Sequence, residues 1–355
     1  MQYVANSWYV ASWSEDLAIG APMAVQILGE PIVLWRSPSQ QVSALIDRCP
    51  HRLAPLSLGR CKGDNLRCMY HGFLLNSEGR TIEIPGQDKI PPQAVARRFP
   101  VVERHSWIWV WMGDADKADP DLIPSAFGFD DERWLLGRGF VDYDAEANLI
   151  CDNLLDFSHI AYVHANSFGA GDEVAVSSFA ALAPKIVPLE RGVRISRWEP
   201  NTAGPGSGGR AADGSLIDWW QSYDFVLPGV LIMESASFPQ GSADRFGDDG
   251  PPDMSQALRA WAVTSQAVTP VAPGKARYFF STGPHRGHGT EKDRDAMVAV
   301  AKMAFDEDKH MIEAQYRNIQ QVNEPRFIPS AHDRAVTMYN GLVRKKAGKA
   351  EAQSV

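Results

Sequence analysis

Two short segments near the N-terminus each pair one cysteine with one histidine. Cys49 and His51 form a Cys-x-His pair, and Cys68 and His71 form a Cys-x-x-His pair. Thiolate and imidazole side chains are ligands for zinc, copper and iron–sulfur clusters. Structural zinc sites more often contain Cys-x-x-Cys knuckles or two closely spaced histidines. The mixed pairs therefore favour a cluster whose metal ions have unlike ligands.

The spacing matches a [2Fe–2S] centre of the Rieske type, in which two histidines replace two cysteines on one iron. Cys49 and Cys68 would hold one iron, and His51 and His71 would hold the other. Such a centre transfers one electron at a time. The alternatives are a zinc ribbon, or cysteines and histidines that merely occupy a core.

The two remaining cysteines are Cys61, between the two pairs, and Cys151, farther along the chain. We expect both to be bystanders, because neither belongs to the ligand pattern. Gly59 and Gly72 lie where the ligand-bearing loops must turn tightly, as glycine allows.

A second candidate metal site lies in the segment CDNLLDFSHIAYVH, residues 151–164. His159 and His164 are separated by about 140° around an ideal helix. Their imidazoles can reach one ion only if the helix loosens or ends between them, and irregular helical turns are frequent at functional sites. Without further evidence, two histidines in this arrangement are more often structural or exposed than metal ligands.

A carboxylate would complete the two-histidine, one-acid set that binds Fe(II) in non-haem oxygenases. The apolar stripe of the predicted helix over 297–319 contains Asp308, about 20° from its centre at steps of about 100° per residue. Three other acids on this helix point away and are expected to be solvated: Asp306, Glu307 and Glu313. A carboxylate in an apolar stripe is costly unless it binds a metal or an opposite charge. We therefore predict Asp308 as the third ligand, with an Asp paired to a buried Arg or Lys as the alternative.

The elements that position these residues follow from the hydrophobic pattern. Short alternating runs rich in β-branched and aromatic residues fill the first hundred residues and predict strands. An acidic, proline-containing stretch at 114–134 suits a connection between domains. Helices are predicted over 146–164 and about 291–321, and strands near 193–199, 217–238, 258–268 and 276–282. We expect an α+β chain with domains at 1–115 and 116–345 and a C-terminal tail at 346–355.

The composition is that of a globular protein, with 45% hydrophobic and 22% charged residues in a chain of 355. The net charge of −8, without a concentrated basic stretch, argues against a nucleic-acid partner. No apolar run reaches the roughly 18 residues of a membrane span, and the N-terminus does not have the pattern of a signal peptide. We therefore expect a cytoplasmic protein without a disulfide framework, in which the paired Cys49 and Cys68 bind metal.

Taken together, the two sites make the chain resemble the oxygenase components of Rieske non-haem iron oxygenases. The resemblance is greatest to the group that contains vanillate O-demethylase, dicamba O-demethylase and toluenesulfonate methyl-monooxygenase. It runs nearly end to end, through NSWYVA, the Cys/His motif, IEIPGQ, FPVVERHSWIWVWMGD, DNLLDFSHIAYVH and FDEDKHMIEAQ.

The resemblance implies a β-sandwich Rieske domain followed by a helix-grip (START-like) catalytic domain with an antiparallel sheet. It also implies a head-to-tail homotrimer in which the cluster of one subunit supplies electrons to the iron of the next. Asp156 would bridge to His71 of the neighbouring subunit and tune its iron, as outer carboxylates do. Asn153 matches a family position near the iron.

The implied activity is that of a terminal oxygenase with a Rieske [2Fe–2S] cluster and a mononuclear Fe(II). It would use O2 to hydroxylate or demethylate a small aromatic substrate, with electrons from NAD(P)H. A separate reductase containing flavin and [2Fe–2S], or a ferredoxin, would deliver those electrons. One alternative is a ring-hydroxylating dioxygenase of the same family. Another is a Rieske electron carrier with a ligand-binding domain, against which His159, His164 and Asp308 argue.

Substrate contacts are predicted from the strands at 230–238, 259–268 and 277–283 and from the loop at 165–180. On the first strand, Glu234 lies on an otherwise apolar face with Ile232, Ala236 and Phe238, and it would either hydrogen-bond a substrate hydroxyl or amine or simply occupy the exposed end of the strand. Gln266 is a comparable candidate. No Arg or Lys stands among the apolar positions of these strands.

Overall fold

The computed structural model describes residues 3–164, 166–167, 182–202, 214–248, 250–258 and 261–351. The chain divides into two compact units. One contains Tyr3–Ile123 together with the hairpin tip Thr269–Pro273, and the other contains the remaining residues from Pro124 onward.

The division after Ile123 lies beyond the expected boundary at 115 because the intervening turn is bonded to the first unit. The indole of Trp8 donates to the carbonyl of Asp119 over 2.8 Å. The guanidinium of Arg104 donates to the carbonyl of Pro120 over 2.8 Å.

The first unit is built from short antiparallel strands. Its strands are β1 (Ser7–Trp13), β2 (Met23–Ile27), β3 (Glu30–Arg36), β4 (Val42–Ile46), β5 (Arg60–Lys62), β6 (Asn65–Arg67), β7 (Leu74–Leu75), β8 (Thr81–Glu83), β9 (Val101–Arg104) and β10 (Trp107–Met112). They form three sheets in the orders β1-β10-β9, β2-β3-β4 and β5-β6-β7-β8. Single helical turns lie at Ser14–Asp16, Leu56–Leu58, Ala115–Lys117 and Pro120–Leu122.

Large apolar side chains form the core of this unit. Trp35, Leu45 and Ile108 are fully buried there, and Cys49 and Cys68 belong to the same cluster. The cysteine ends of both ligand loops are therefore anchored in the core.

The second unit is organised around one seven-stranded sheet. Its strands are β11 (Gly137–Tyr143), β12 (Lys185–Leu189), β13 (Gly192–Thr202), β14 (Ile217–Val226), β15 (Val230–Pro239), β16 (Ala262–Ala272) and β17 (Lys275–Pro284). Their order is β11-β17-β16-β15-β14-β13-β12, and the pairs with a defined register are antiparallel. The predicted α+β class with an antiparallel catalytic sheet is confirmed.

Among the described residues, this unit contains the helices α1 (Ala147–Leu155), α2 (Ile160–Val163), α3 (Ser242–Phe246), α4 (Glu291–Gln320) and α5 (Arg334–Glu351). Single turns lie at Phe157–His159, Met254–Gln256 and Ala331–Asp333. A capping box between Thr290 and Asp293 begins α4. Helix α5 continues to Glu351, into the segment 346–355 that we expected to be a tail. No helix in the described ranges has the length and apolar character needed to cross a bilayer.

Aromatic contacts identify the face of the sheet that α4 covers. The ring of Phe305 in α4 lies 4.8 Å from the rings of Tyr278 and Phe280 in β17. Alternate strand residues share a face, so Thr282 belongs to the same face. The hydroxyl of Thr264 donates to that of Thr282 over 2.9 Å, which places alternate residues of β16 on the α4 face as well.

Candidate metal centres

Buried cysteines and exposed histidines alternate in the two ligand loops of the first unit. Cys49 and Cys68 are 2% and 1% exposed, respectively. The rings of His51 and His71 lie 4.5 Å apart, and His51 stacks on Phe73 at 4.8 Å. The donors therefore form a thiol pair within the unit and an imidazole pair at its surface.

Backbone and side-chain bonds hold each loop in a tight turn. Asp47 accepts from the backbone N–H and the hydroxyl of Ser57 in the first loop. In the second, Arg67 donates to the carbonyl of Gly72 over 2.7 Å. Gly72 has a φ of +77°, whereas a Cβ at Gly59 would lie 2.3 Å from the carbonyl oxygen of Arg67. Positive φ explains the first glycine, and close backbone approach explains the second.

The electrostatics of these loops suit a two-iron cluster. Burial raises the pKa of the Cys49 thiol to about 11, and the neighbouring Cys68 adds to the shift. Thiolates are therefore favoured only when a cation is bound. Across the described ranges, three His, Cys, Asp or Glu donor atoms lie within 4.8 Å of one another only at His159, His164 and Asp308. Two separated donor pairs fit a [2Fe–2S] cluster better than one zinc ion.

The second unit brings together His159, His164 and Asp308. The Nε2 atoms of His159 and His164 lie 3.4 and 3.6 Å from Oδ1 of Asp308. Each Nδ1 faces a different acceptor: the carbonyl of Asp156 at 2.5 Å for His159, and the carboxylate of Glu307 at 3.1 Å for His164. Both imidazoles are thus held in the orientation that directs Nε2 toward the acid, as metal-binding histidines are.

Interruptions of the predicted helix over 146–164 make this convergence possible. Helix α1 ends at Leu155, and the next residue, Asp156, has extended backbone with a φ of −122° and a ψ of 92°. The Asp156 carboxylate accepts from the N–H of Ser158 and caps the turn that contains His159. Helix α2 then ends at Val163, and His164 has a φ of −91° and a ψ of 53°, outside the helical region.

Asp308 lies where the helical periodicity predicted. It is 4% exposed, among the buried residues of α4. The amide of Asn153 donates to its Oδ1 over 3.1 Å. Burial lowers the pKa of His159, but hydrogen bonding to Asp308 and the carboxylate charge more than offset this and raise it. The three donors thus make a mixed nitrogen and oxygen set that fits Fe(II) with positions left open.

The expectation that Glu307 and Glu313 are solvated is wrong. The side chain of Glu307 is 15% exposed and accepts from His164 and from the segment after it. Glu313 accepts from the backbone N–H of Asp144 over 2.8 Å. Both carboxylates accept hydrogen bonds from distant segments of the chain that lie outside the apolar core. Helical periodicity does not detect such contacts, because it reports only which face of the helix is apolar. Asp306 is exposed as expected.

The structure separates the two predicted substrate contacts. Gln266 lies on the α4 face, is 6% exposed, and its Oε1 has no hydrogen-bond donor among the described residues. Glu234 lies on the opposite face, where the indole of Trp261 donates to it over 2.7 Å. Its neighbours Ala236 and Phe238 pack against aromatic side chains on that face. Glu234 is therefore not brought to the metal site. The loop at 165–180 lies outside the described residues except for 166–167.

A buried arginine was missed in the sequence. Arg197 in β13 is 6% exposed and pairs across the sheet with Gln221. It lines a cavity that is also bounded by Asp156, Tyr223 and His332. The alternation of Val193, Ile195 and Arg197 was the available signal. This alternation places the guanidinium-bearing Arg197 on the same face of β13 as the apolar Val193 and Ile195.

Comparisons with known proteins agree with these two centres. A Rieske [2Fe–2S] domain model matches residues 7–99, and a vanillate O-demethylase oxygenase C-terminal domain model matches residues 143–348. The iron–sulfur subunit of the toluene-4-sulfonate monooxygenase system of Comamonas testosteroni is 34% identical over 336 residues, 93% of each chain. The dicamba O-demethylase oxygenase component of Stenotrophomonas maltophilia is 41% identical over 288 residues, which cover 74% of this chain and 84% of that one.

A solved structure has the same architecture from end to end. Dicamba monooxygenase bound to 3,6-dichlorosalicylic acid superposes with a TM-score of 0.85 at 27% identity, covering 99% of this chain and 100% of that one. Fold, domain order and sequence therefore agree along the whole length. The chain belongs to the Rieske oxygenase family that includes vanillate O-demethylase, and it is a terminal oxygenase component with a Rieske [2Fe–2S] cluster and a mononuclear iron as cofactors.

Proposed function

We propose that this oxygenase hydroxylates or demethylates a small aromatic substrate at an iron held by His159, His164 and Asp308. The observation that carries this proposal is the convergence of both Nε2 atoms on one oxygen of Asp308, with both Nδ1 atoms held by acceptors. In the first unit, Cys49 and Cys68 hold one iron of the cluster, and His51 and His71 hold the other.

When bound, the cluster supplies single electrons and the mononuclear iron supplies positions for O2. The chain's residues set the conditions for that chemistry. Burial of Asp308 and His164 excludes water from one side of the site. With a methoxyarene, hydroxylation of the methyl carbon gives a hemiacetal that collapses to a phenol and formaldehyde. The reaction consumes O2, two electrons and two protons and releases water, so a separate NAD(P)H-dependent reductase or a ferredoxin is required.

The substrate we propose is a small aromatic acid. Several relatives are named for such acids, including vanillate and toluene-4-sulfonate. Arg197 offers a buried positive charge near Glu199 and Asp156, and we propose that it also pairs with a substrate carboxylate or sulfonate. Arg197→Met should raise KM for the acid far more than KM for its neutral amide. Arg194→Met is the matched control, because Arg194 lies on the same strand with a carboxylate partner, Asp224, near the surface. Equal effects of the two changes would refute the role of Arg197.

We also propose the head-to-tail trimer, with Asp156 as the bridge to His71 of the neighbouring subunit. Apolar side chains beside the histidine pair support an interface there. Leu53, Leu58 and Tyr70 are 68%, 75% and 63% exposed, respectively. Exposed apolar groups of this size commonly mark a binding surface.

Mixing two inactive variants tests the trimer. His71→Ala has no working cluster, and His159→Ala has no working iron. Co-expressed in the same oligomers, they should regain activity, because an intact cluster of one subunit then faces an intact iron of the next. Mixed oligomers without activity would refute electron transfer between subunits.

Metal content and product analysis test the oxygenation itself. The purified chain should contain about three irons, two in the cluster and one mononuclear. A panel of methoxybenzoates, aryl sulfonates, aryl ethers and N-methyl compounds, supplied with a compatible reductase, should yield formaldehyde with at least one member. Two irons per chain, in both the wild type and His159→Ala, would refute the proposal.

A further inference from the structure

We infer that Glu307 is a positioning carboxylate for His164 and makes His164 the more strongly donating of the two histidine ligands. This inference rests on the proposed metal site. Oε2 of Glu307 lies 3.1 Å from Nδ1 of His164, and the two side chains are 15% and 3% exposed. A protonated Nδ1 donates to the carboxylate, which leaves the lone pair of Nε2 directed toward Asp308.

The carboxylate of Glu307 is occupied on both oxygens. Oε1 accepts from the backbone N–H of Asn166 over 2.9 Å and from its side-chain amide over 3.0 Å. Oε2 accepts from the hydroxyl of Ser167 over 2.6 Å as well as facing His164. A carboxylate accepts about four hydrogen bonds, and Glu307 has four donors. It is therefore committed to this network and is not a spare metal ligand.

Adjacent positions in α4 supply two carboxylates with different tasks. Glu307 and Asp308 differ by about 100° around the helix axis. Asp308 faces the imidazole Nε2 atoms, whereas Glu307 reaches the far side of the His164 ring. One helix thus holds both edges of His164, and its register fixes the imidazole relative to the acid.

The two histidines have unequal partners. His159 faces a neutral backbone carbonyl, that of Asp156, through Nδ1. His164 faces a full negative charge. A carboxylate polarises an imidazole more than a carbonyl does, which raises its basicity toward a metal, and loss of such an outer partner typically weakens metal binding by about 10- to 100-fold.

The test compares Glu307→Ala and Glu307→Gln with Glu313→Gln in the full chain with its cluster intact. Glu313 is a matched control on the same helix, since it also accepts from a backbone N–H and its side chain is 17% exposed. Ser167→Ala is a second control, because it removes one donor to Glu307 but leaves the bond to His164. Cluster absorbance reports folding.

The readouts are Fe(II) and Co(II) affinity by equilibrium dialysis and the EPR spectrum of bound Co(II) with the cluster oxidised and EPR-silent. We expect Glu307→Ala to weaken metal affinity about 10- to 100-fold. Glu307→Gln, which has no charge, should weaken affinity less but still change the Co(II) spectrum. Both controls should match the wild type.

Two results would overturn the inference. One is wild-type affinity and spectrum in both Glu307 variants. The other is wild-type metal affinity and a wild-type Co(II) spectrum in Glu307→Gln when Glu307→Ala has lost both, which would mean that Glu307 acts by its shape and not by its charge. If His164→Ala binds metal as tightly as the wild type does, the proposed metal site itself is refuted. The two failures are therefore distinguishable.

Discussion

Asn153 connects α1 to α4 through one hydrogen bond, from its side-chain amide to Oδ1 of Asp308 over 3.1 Å. The same oxygen faces the Nε2 atoms of His159 and His164. The amide therefore limits rotation of the carboxylate at the point where three donors meet. Without Asn153, Asp308 would keep its place in the helix but lose its fixed orientation.

Asp308→Ala should lose the mononuclear iron and all oxygenation but keep the visible absorbance of the cluster. The two ligand sets belong to different compact units, so loss of one need not disturb the other. Asn153→Ala should retain part of the iron. Asp306→Ala, on the exposed side of the same helix, is the control, and iron analysis with absorbance is the measurement. Similar iron loss in Asp306→Ala and Asp308→Ala would contradict the assignment.

Replacing His71 with Cys should change the EPR spectrum of the reduced cluster. A mixed histidine and cysteine centre has a lower average g and a higher potential than an all-cysteine one. The variant should therefore shift toward an all-cysteine spectrum and become harder to reduce. An unchanged spectrum and potential would mean that His71 is not a ligand.

Gln266→Ala should raise KM for a substrate that hydrogen-bonds to it by about 5-fold, since one such bond contributes about 1 kcal/mol. Glu234→Ala should leave KM unchanged, because its bond to Trp261 is on the other face of the sheet. It should instead lower thermal stability. Steady-state kinetics and thermal denaturation separate the two effects, and an increased KM only in Glu234→Ala would reverse our assignment of the faces.

Asp152→Asn should stabilise the protein at neutral pH but not at pH 4. Burial raises the pKa of Asp152 to about 6, although the hydrogen bond from Asn340 opposes the shift. The unfolded pKa is about 3.9, so the folded state binds the proton more tightly. Stability from that proton is present below about pH 4 and is lost as the pH rises through about 6.

Asn does not titrate, so the variant escapes this loss. The difference in unfolding free energy should grow from near zero at pH 4 to about 1–3 kcal/mol above pH 7. Thermal denaturation of both proteins across this range measures it. A difference that does not depend on pH would mean that Asp152 has an ordinary pKa.

Helical and strand periodicity and local ligand spacing were enough to predict much of the fold and the candidate metal ligands. Asp308 was identifiable because an acid in an apolar stripe is rare and costly. The Cys and His pairs were identifiable because ligand spacing is local in sequence. Strand alternation correctly placed Glu234 on an otherwise apolar face, but it does not tell which face of a sheet meets the catalytic helix.

Long-range contacts were the part that sequence patterns could not supply. Glu307 looked solvated because periodicity indicates only the direction of a side chain relative to the core, whereas its partners are His164, Asn166 and Ser167. Arg197 was overlooked because its strand also contains Arg194 and Glu199, and alternation alone does not tell which charged side chains are buried. The partners of Glu307 lie 140 to 143 positions away in sequence, and the cavity beside Arg197 is also bounded by Asp156 and His332, 41 and 135 positions away.

The proposed iron ligands come from two chain segments, the irregular turn after α1 and the middle of α4, whereas the predicted substrate contacts come from strands of the sheet. This arrangement makes the chemistry and the selectivity separable in evolution and in engineering. Strands β13 to β16 can exchange side chains, and their connecting loops can change length, without moving a ligand. By contrast, inserting a single residue in α4 before Glu307 would rotate both carboxylates by about 100° relative to the preceding turn. Insertion scanning should therefore find the substrate-facing loops permissive and α4 intolerant.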